Sequence, residues 1–158
     1  HGHRRIAFIG RDPAIYTARE RYDGYVDALT GAGIGVDSAL VSREGSTRSW
    51  AEAQVEAMLD LAEPPTAIFA AQNLITMAAV TVLQRRGLQH RVALVGFDDF
   101  ELADLLIPSV TVVAQDPDQI GRLAAELALG LRTADDDTGP VTVVPTRLIP
   151  RGSGELPL

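Results

Sequence analysis

The sequence predicts an α/β fold, a doubly wound parallel sheet, and three observations predict it. Short apolar, β-rich runs alternate with longer runs of helical period. Several of the apolar runs are hydrophobic at successive positions, the pattern of strands covered on both faces. The helical runs open at capping signals and close at glycine or proline. The order is β-α-β-α-β-α-β-(α)-β-α-β, that of parallel strands joined by helical crossovers.

Candidate strands are residues 5–9, 39–42, 67–71, 92–95, 110–114 and 141–149. The first helix is expected from about Ala18, because Thr17-Ala18-Arg19-Glu20 has the spacing of a capping box. Tyr22, Tyr25, Val26 and Leu29 then form one apolar stripe, and Gly31 and Gly33 end it. Ser49-Trp50-Ala51-Glu52 reads as a second capping box, and that helix stops at Pro64-Pro65. A third helix spans about 73–86, with Gly87 at its C-terminus. A short helical turn is expected at 101–107, before Pro108. The last helix has Asp116 as N-cap, Pro117 at its first position, and an apolar face of Ile120, Leu123, Ala124, Leu127 and Leu131. Residues 133–139, with three consecutive aspartates, read as a solvated loop.

Composition excludes several classes of function. The chain has 158 residues, enough for one compact domain or a little more, with 46% hydrophobic and 22% charged residues. Its formal net charge of -7 makes it, by itself, a poor match for nucleic acid, whose binders carry a basic face. With no cysteine there are no disulfides, thiolate metal sites or cysteine nucleophiles. No apolar run approaches the roughly 20 residues of a membrane helix, so no membrane partner is expected. HGHRRIAFIG enters a strand almost at once with no signal peptide before it, which fits a chain that starts here or a piece of a longer one.

Enzymatic machinery and cofactor motifs are not visible. No Gly-x-Gly-x-x-Gly follows a strand; Gly31-Ala32-Gly33-Ile34-Gly35 follows a helix and reads as its exit. There is no Walker loop and no Gly-x-Ser-x-Gly elbow. His1 and His3 lie at the terminus and His90 in a polar turn, so none has partners at metal-ligating or catalytic spacing. No catalytic residue, metal ligand or cofactor is assigned.

What remains is a binding site. Open α/β sheets take ligands outside the carboxyl ends of their strands. Past the successive strands lie Tyr16, Thr17, Arg19 and Arg21; then Arg43 to Arg48, including Ser46; then Gln72-Asn73; then Phe97-Asp98-Asp99; then Gln115-Asp116. These side chains hydrogen-bond hydroxyls, and the aromatics suit the apolar face of a sugar. The stretch VALVGFDDF poses the question most sharply, because a buried strand ends in two carboxylates. Asp98 fits a ligand contact or a solvated turn equally well, and Asp99 reads as the cap of the short helix that follows. Arg21 on spacing alone reads as a surface arginine paired with Glu20 or Asp23.

GHRRIAFIG, TARERYDGYVDAL, PPTAIFAAQNLITMAAVTVLQRRGL, VALVGFDDFELADLLIPSVTVVAQDPDQIGRLAAELAL and LIPRGS, in this order and spacing, resemble the LacI/GalR (lactose/galactose repressor) family of bacterial transcription regulators over essentially the whole chain. The resemblance implies a periplasmic-binding-protein-like effector domain of two lobes joined by three crossovers, behind a helix-turn-helix absent from this chain. Residues 1–115 and 141–158 would form the C-terminal lobe, and 116–140 a crossover helix and loop of the N-terminal lobe. It implies a small-molecule effector, a sugar or derivative, and together with the strand-end reading it makes Tyr16, Thr17, Arg21, Ser46, Gln72, Phe97, Asp98 and Gln115 the ligand-binding candidates. Arg21 matches an effector-binding arginine, Asp98 an aspartate that binds sugar hydroxyls, and Thr17 and Ser46 pocket-lining positions. Gln72 stands where many members have asparagine and Asn73 where they have aspartate, so the reach of the site changes. A cytoplasmic homodimer or larger self-associate is implied, touching operator DNA only through the absent helix-turn-helix. A periplasmic sugar-binding protein of a transporter has the same fold and is the alternative.

Overall fold

The structure, a computed structural model, describes residues 1–131 and 142–158. Its order is β1 (Ile6–Ile9), α1 (Tyr16–Gly31), a 3-10 turn (Ser38–Leu40), β2 (Val41–Ser42), α2 (Arg48–Leu59), β3 (Ala67–Ala70), α3 (Asn73–Arg85), β4 (Ala93–Phe97), β5 (Thr111–Ala114), α4 (Pro117–Ala128), β6 (Arg147–Ile149) and a 3-10 turn (Gly152–Gly154). The six strands lie in the order β2-β1-β3-β4-β5-β6. The first five are parallel, and β6 pairs antiparallel with β5, Val112 opposite Ile149. The sheet is therefore mixed at one edge. A strand that returns after a long excursion can enter from either end, so alternation alone did not fix its direction.

The two faces of the sheet are packed differently. On one face α2 and α3 cover Ala7, Ile9, Ile68, Leu94 and Val112 with Val55, Ile75, Ala78, Val82 and Leu83, all buried. Helix α3 can lie close because β4 has Gly96, where a Cβ would come 2.6 Å from the Thr76 hydroxyl. On the other face α1 lays Tyr25 and Leu29 over Phe8, whose ring meets Tyr22, Tyr25 and Phe69 at 5.2, 5.1 and 5.6 Å. Tyr25 donates its hydroxyl to the Ile6 carbonyl (2.8 Å). Beside α1 this face stays open: Ile6, Phe69, Val95 and Phe97 line a groove of about 590 Å³ with Gly24, Tyr25 and Ala28.

Several local expectations are corrected. Thr17 is not the N-cap of α1; the helix begins two residues before Ala18, at Tyr16, because Asp12 accepts from the Ala14 amide and the Ile15 amide donates to the Asp12 carbonyl. Ser49 is not the N-cap of α2; Thr47 is, its hydroxyl accepting from the Trp50 amide (3.2 Å). Residues 101–107 form turns in place of a helix, with Leu102 at φ 71°, so Asp99 has no helix to cap. The second strand is half as long as expected, its first residues taken by the 3-10 turn that Asp37 caps. Asp116 caps α4 as expected, accepting from the Gln119 amide (2.8 Å). That helix ends at Ala128. The expected loop at 133–139 lies outside the described residues, as does the first residue of the strand expected at 141–149; of the rest, residues 142–146 are irregular and only Arg147–Ile149 is strand, because only these pair with β5.

Candidate functional site

Parallel strands leave their carboxyl ends on one crest, and the first turns of α1, α2 and α3 rise beside it. Arg21 is the best-anchored side chain there. It sits on the second turn of α1, half-buried, and donates Nη1 to the carbonyl of Ala71, just past β3 (2.8 Å). Its guanidinium lies 3.8 Å from the centroid of Phe97, the last residue of β4. Burial lowers its pKa from the ordinary arginine value, and the charge of Asp98 opposes that shift. Arg21 thus pairs with neither Glu20 nor Asp23, the partners that spacing suggested.

Asp98 follows Phe97 and takes a left-handed conformation at φ 69°, uncommon for a residue with a side chain. Its amide still bonds the Val113 carbonyl on β5 (2.9 Å). Its carboxylate accepts from the side-chain amide of Gln115, just past β5. Arg21, Phe97, Asp98 and Gln115, separated by up to 94 positions in sequence, therefore meet in one cluster. It presents a cation, a carboxylate, a carboxamide and an aromatic ring. Such a set donates to and accepts from neighbouring hydroxyls of one small molecule.

The other expected residues stand at their own strand ends and helix starts and make no side-chain hydrogen bond to this cluster. Tyr16 and Thr17 are exposed at the start of α1, where the Arg19 guanidinium lies 5.4 Å from the Tyr16 ring. Ser46 is exposed in the loop between β2 and α2. Gln72 is the N-cap residue of α3 but does not cap with its side chain, which leaves its carboxamide available. Asn73 spends its side-chain oxygen on the Leu74 amide (2.7 Å).

One arginine was missed, and another, Arg43, was noted past its strand but given no role. Arg151 grips Asp99 through both terminal nitrogens, at 2.9 and 2.8 Å, and this pair lowers the Asp99 pKa, chiefly by hydrogen bonding. LIPRGS contains Arg151, but a partner 52 positions away leaves no spacing signal. Arg43, just past β2, stacks 3.7 Å from the Tyr22 ring centroid and keeps its Nε buried without a partner. Among the described residues no group of histidine, cysteine, aspartate or glutamate is arranged to hold a metal ion, and no helix is long and apolar enough to cross a membrane.

The sequence profile of a family described as a periplasmic binding protein-like domain matches residues 1–154. The HTH-type transcriptional regulator CelR of Thermobifida fusca is 38% identical over 156 residues, covering 97% of this chain and 46% of CelR. A solved complex of the transcriptional regulator CelR with cellobiose superposes with a TM-score of 0.81 at 36% identity, covering 97% of this chain and 47% of that one. A LacI-family regulatory protein from Chloroflexus aggregans gives a TM-score of 0.85 at 27% identity, over 96% of this chain and 56% of that one. The chain spans about half the length of the proteins it matches.

Proposed function

The chain belongs to the periplasmic binding protein-like domain family, among its LacI-type transcription regulators, and on that premise we propose that it is the sensor part of a DNA-binding regulator. Residues 1–115 and 141–158 are the C-terminal lobe of the effector-binding domain, and 116–140 carry the crossover helix and loop of the other lobe. The observation that carries the reading is the convergence of Arg21, Phe97, Asp98 and Gln115 at the strand ends. A sugar or related polyol donates hydroxyls to Asp98 and accepts from Arg21, with Gln115 holding the carboxylate in place. Tyr16, Thr17, Ser46 and Gln72 line the approach. Gln72 and Asn73 bring no charge, so Asp98 is the main anionic contact. The relative bound to cellobiose makes a β-linked disaccharide the first ligand to try.

The protein acts by binding and not by catalysis, in the cytoplasm, as a homodimer. Effector closes two lobes upon each other and so resets the spacing of two DNA-reading heads. The exposed apolar side of α4 supports a second lobe as its packing partner. The transport-protein reading shares the fold and is not favoured, since the matched relatives are named as regulators. Fluorescence anisotropy of the full-length protein on the DNA upstream of its own gene tests the proposal. Tight binding that a carbohydrate shifts is expected; a protein that ignores that DNA while binding a sugar would favour transport.

A further inference from the structure

The left-handed turn at Asp98 raises a mechanical question. A non-glycine residue in this region stays there only when its surroundings hold it on both sides. Upstream, the ladder does so, through the Asp98 amide and the Val113 carbonyl. Downstream, the next residue is Asp99, whose carboxylate accepts from the Phe100 amide (3.0 Å) and from both terminal nitrogens of Arg151. The arginine is itself fixed. Its Nη1 also donates to the Val110 carbonyl (2.9 Å), and its amide donates to the Thr111 hydroxyl (2.9 Å), which in turn donates to the Arg151 carbonyl (2.8 Å). Two residues on, the Ser153 hydroxyl donates to Leu94 of β4 (2.6 Å) and accepts from the Thr111 amide (2.9 Å). The side chain of Arg151 is only 17% exposed, so the guanidinium has little freedom to leave.

We infer that Arg151 is a positioning residue: through Asp99 it sets the turn that aims the Asp98 carboxylate at Gln115 and the ligand space. Arg151 stands two residues past β6, the strand that returns from the crossover after α4. A displacement of the returning strand is thereby passed to the Asp98 carboxylate through one bidentate pair. The bidentate fork matters because two parallel bonds fix the orientation of the carboxylate as well as its distance, which a lysine cannot do. The inference rests on the reading of Asp98 as the effector contact, but its geometry can be tested without any effector.

The experiment is a ¹⁵N spectrum of the 158-residue chain, with the side-chain NH₂ signals of Gln115 as the probe. Arg151→Gln is expected to move those signals toward the position of a free glutamine while the amides of α2 and α3 stay in place. Arg151→Lys, which keeps the charge and loses the fork, is expected to move them part of the way. A purely structural role would lower the melting temperature and leave the Gln115 signals unmoved, and that result would overturn the inference. Should Arg151→Gln fail to fold, Asp99→Asn is read in the same way, because Asp99 is 37% exposed and asparagine keeps the shape of its side chain. Failure of the effector reading would appear instead as sugar affinity indifferent to Asp98, with the Gln115 shifts intact.

Discussion

Helices α3 and α4 are nearly the same length, 13 and 12 residues, and both have an apolar side. In α3 that side is spent: Ile75, Thr76, Ala78, Ala79, Val82 and Leu83 are all buried under the sheet and α2. In α4 no residue is buried, and Ile120 and Leu127 are 40% and 42% exposed. An amphipathic pattern thus specifies which side of a helix wants cover, not what covers it. For α4 the proposed cover is the second lobe.

The largest effect that separates the two helices is a core truncation. Leu83→Ala should cost about 2–5 kcal/mol in urea unfolding, the usual range for a buried leucine. Leu127→Ala should change stability by no more than about 0.5 kcal/mol in the same assay. A comparable loss at both positions would mean that α4 is already packed, and the contrast would fail.

Alkali should affect the α1 face next. Burial, with the nearby Tyr22 and Asp37 adding to it, pushes the Tyr25 hydroxyl up to about 12 from 10.0. The folded state then holds a proton that the unfolded state has released. Stability is intact below pH 10 and falls as pH rises toward 12, by on the order of 2–3 kcal/mol in total. Absorbance at 295 nm should show one of the three tyrosines ionising late, and Tyr25→Phe should abolish that late step.

Acid removes less. The Asp99 carboxyl is held below its ordinary value by Arg151, so its contribution is present above the unfolded pKa and is lost as pH falls through the lowered one. With Asp99 37% exposed, solvent screening keeps that acid loss below the alkaline one. Asp99→Asn should flatten the acid limb of a melting-temperature profile; an unchanged limb would show that the pair does not titrate with folding.

The smallest effects lie at the caps. Thr47→Ala should cost about 1 kcal/mol, because its hydroxyl satisfies the Trp50 amide. Ser49→Ala and Thr17→Ala should cost next to nothing in chemical denaturation.

These caps show where the sequence could and could not be read. Thr47, Ser49 and Thr17 all carry the hydroxyl that an N-cap needs, and only backbone geometry selects among them. The parallel strands and the α3 face were legible because burial on both sides leaves unbroken apolar runs such as AIFA and ALVGF. The direction of β6 was not, since antiparallel return is a property of the crossover and not of RLI. At the site, the strand-end rule grouped Asp98, Gln115 and Arg21 together because topology brings all strand ends to one crest, while spacing alone read Arg21 as a surface arginine and only the family resemblance singled it out. The Arg151–Asp99 pair lay beyond it: a contact across 52 positions depends on how the chain returns through β6. For the same reason Asp99 was taken for a helix cap when its carboxylate is held by an arginine.

The most direct test of the account is calorimetry of the full-length protein against a panel beginning with cellobiose, followed by the strongest ligand against Asp98→Asn and Arg21→Gln. The account predicts that each substitution weakens that ligand by about tenfold or more, as expected when a charged hydrogen-bond partner is lost, while both proteins melt cooperatively. A ligand that binds all three proteins equally would contradict it and move the site away from the tips of β4 and β5.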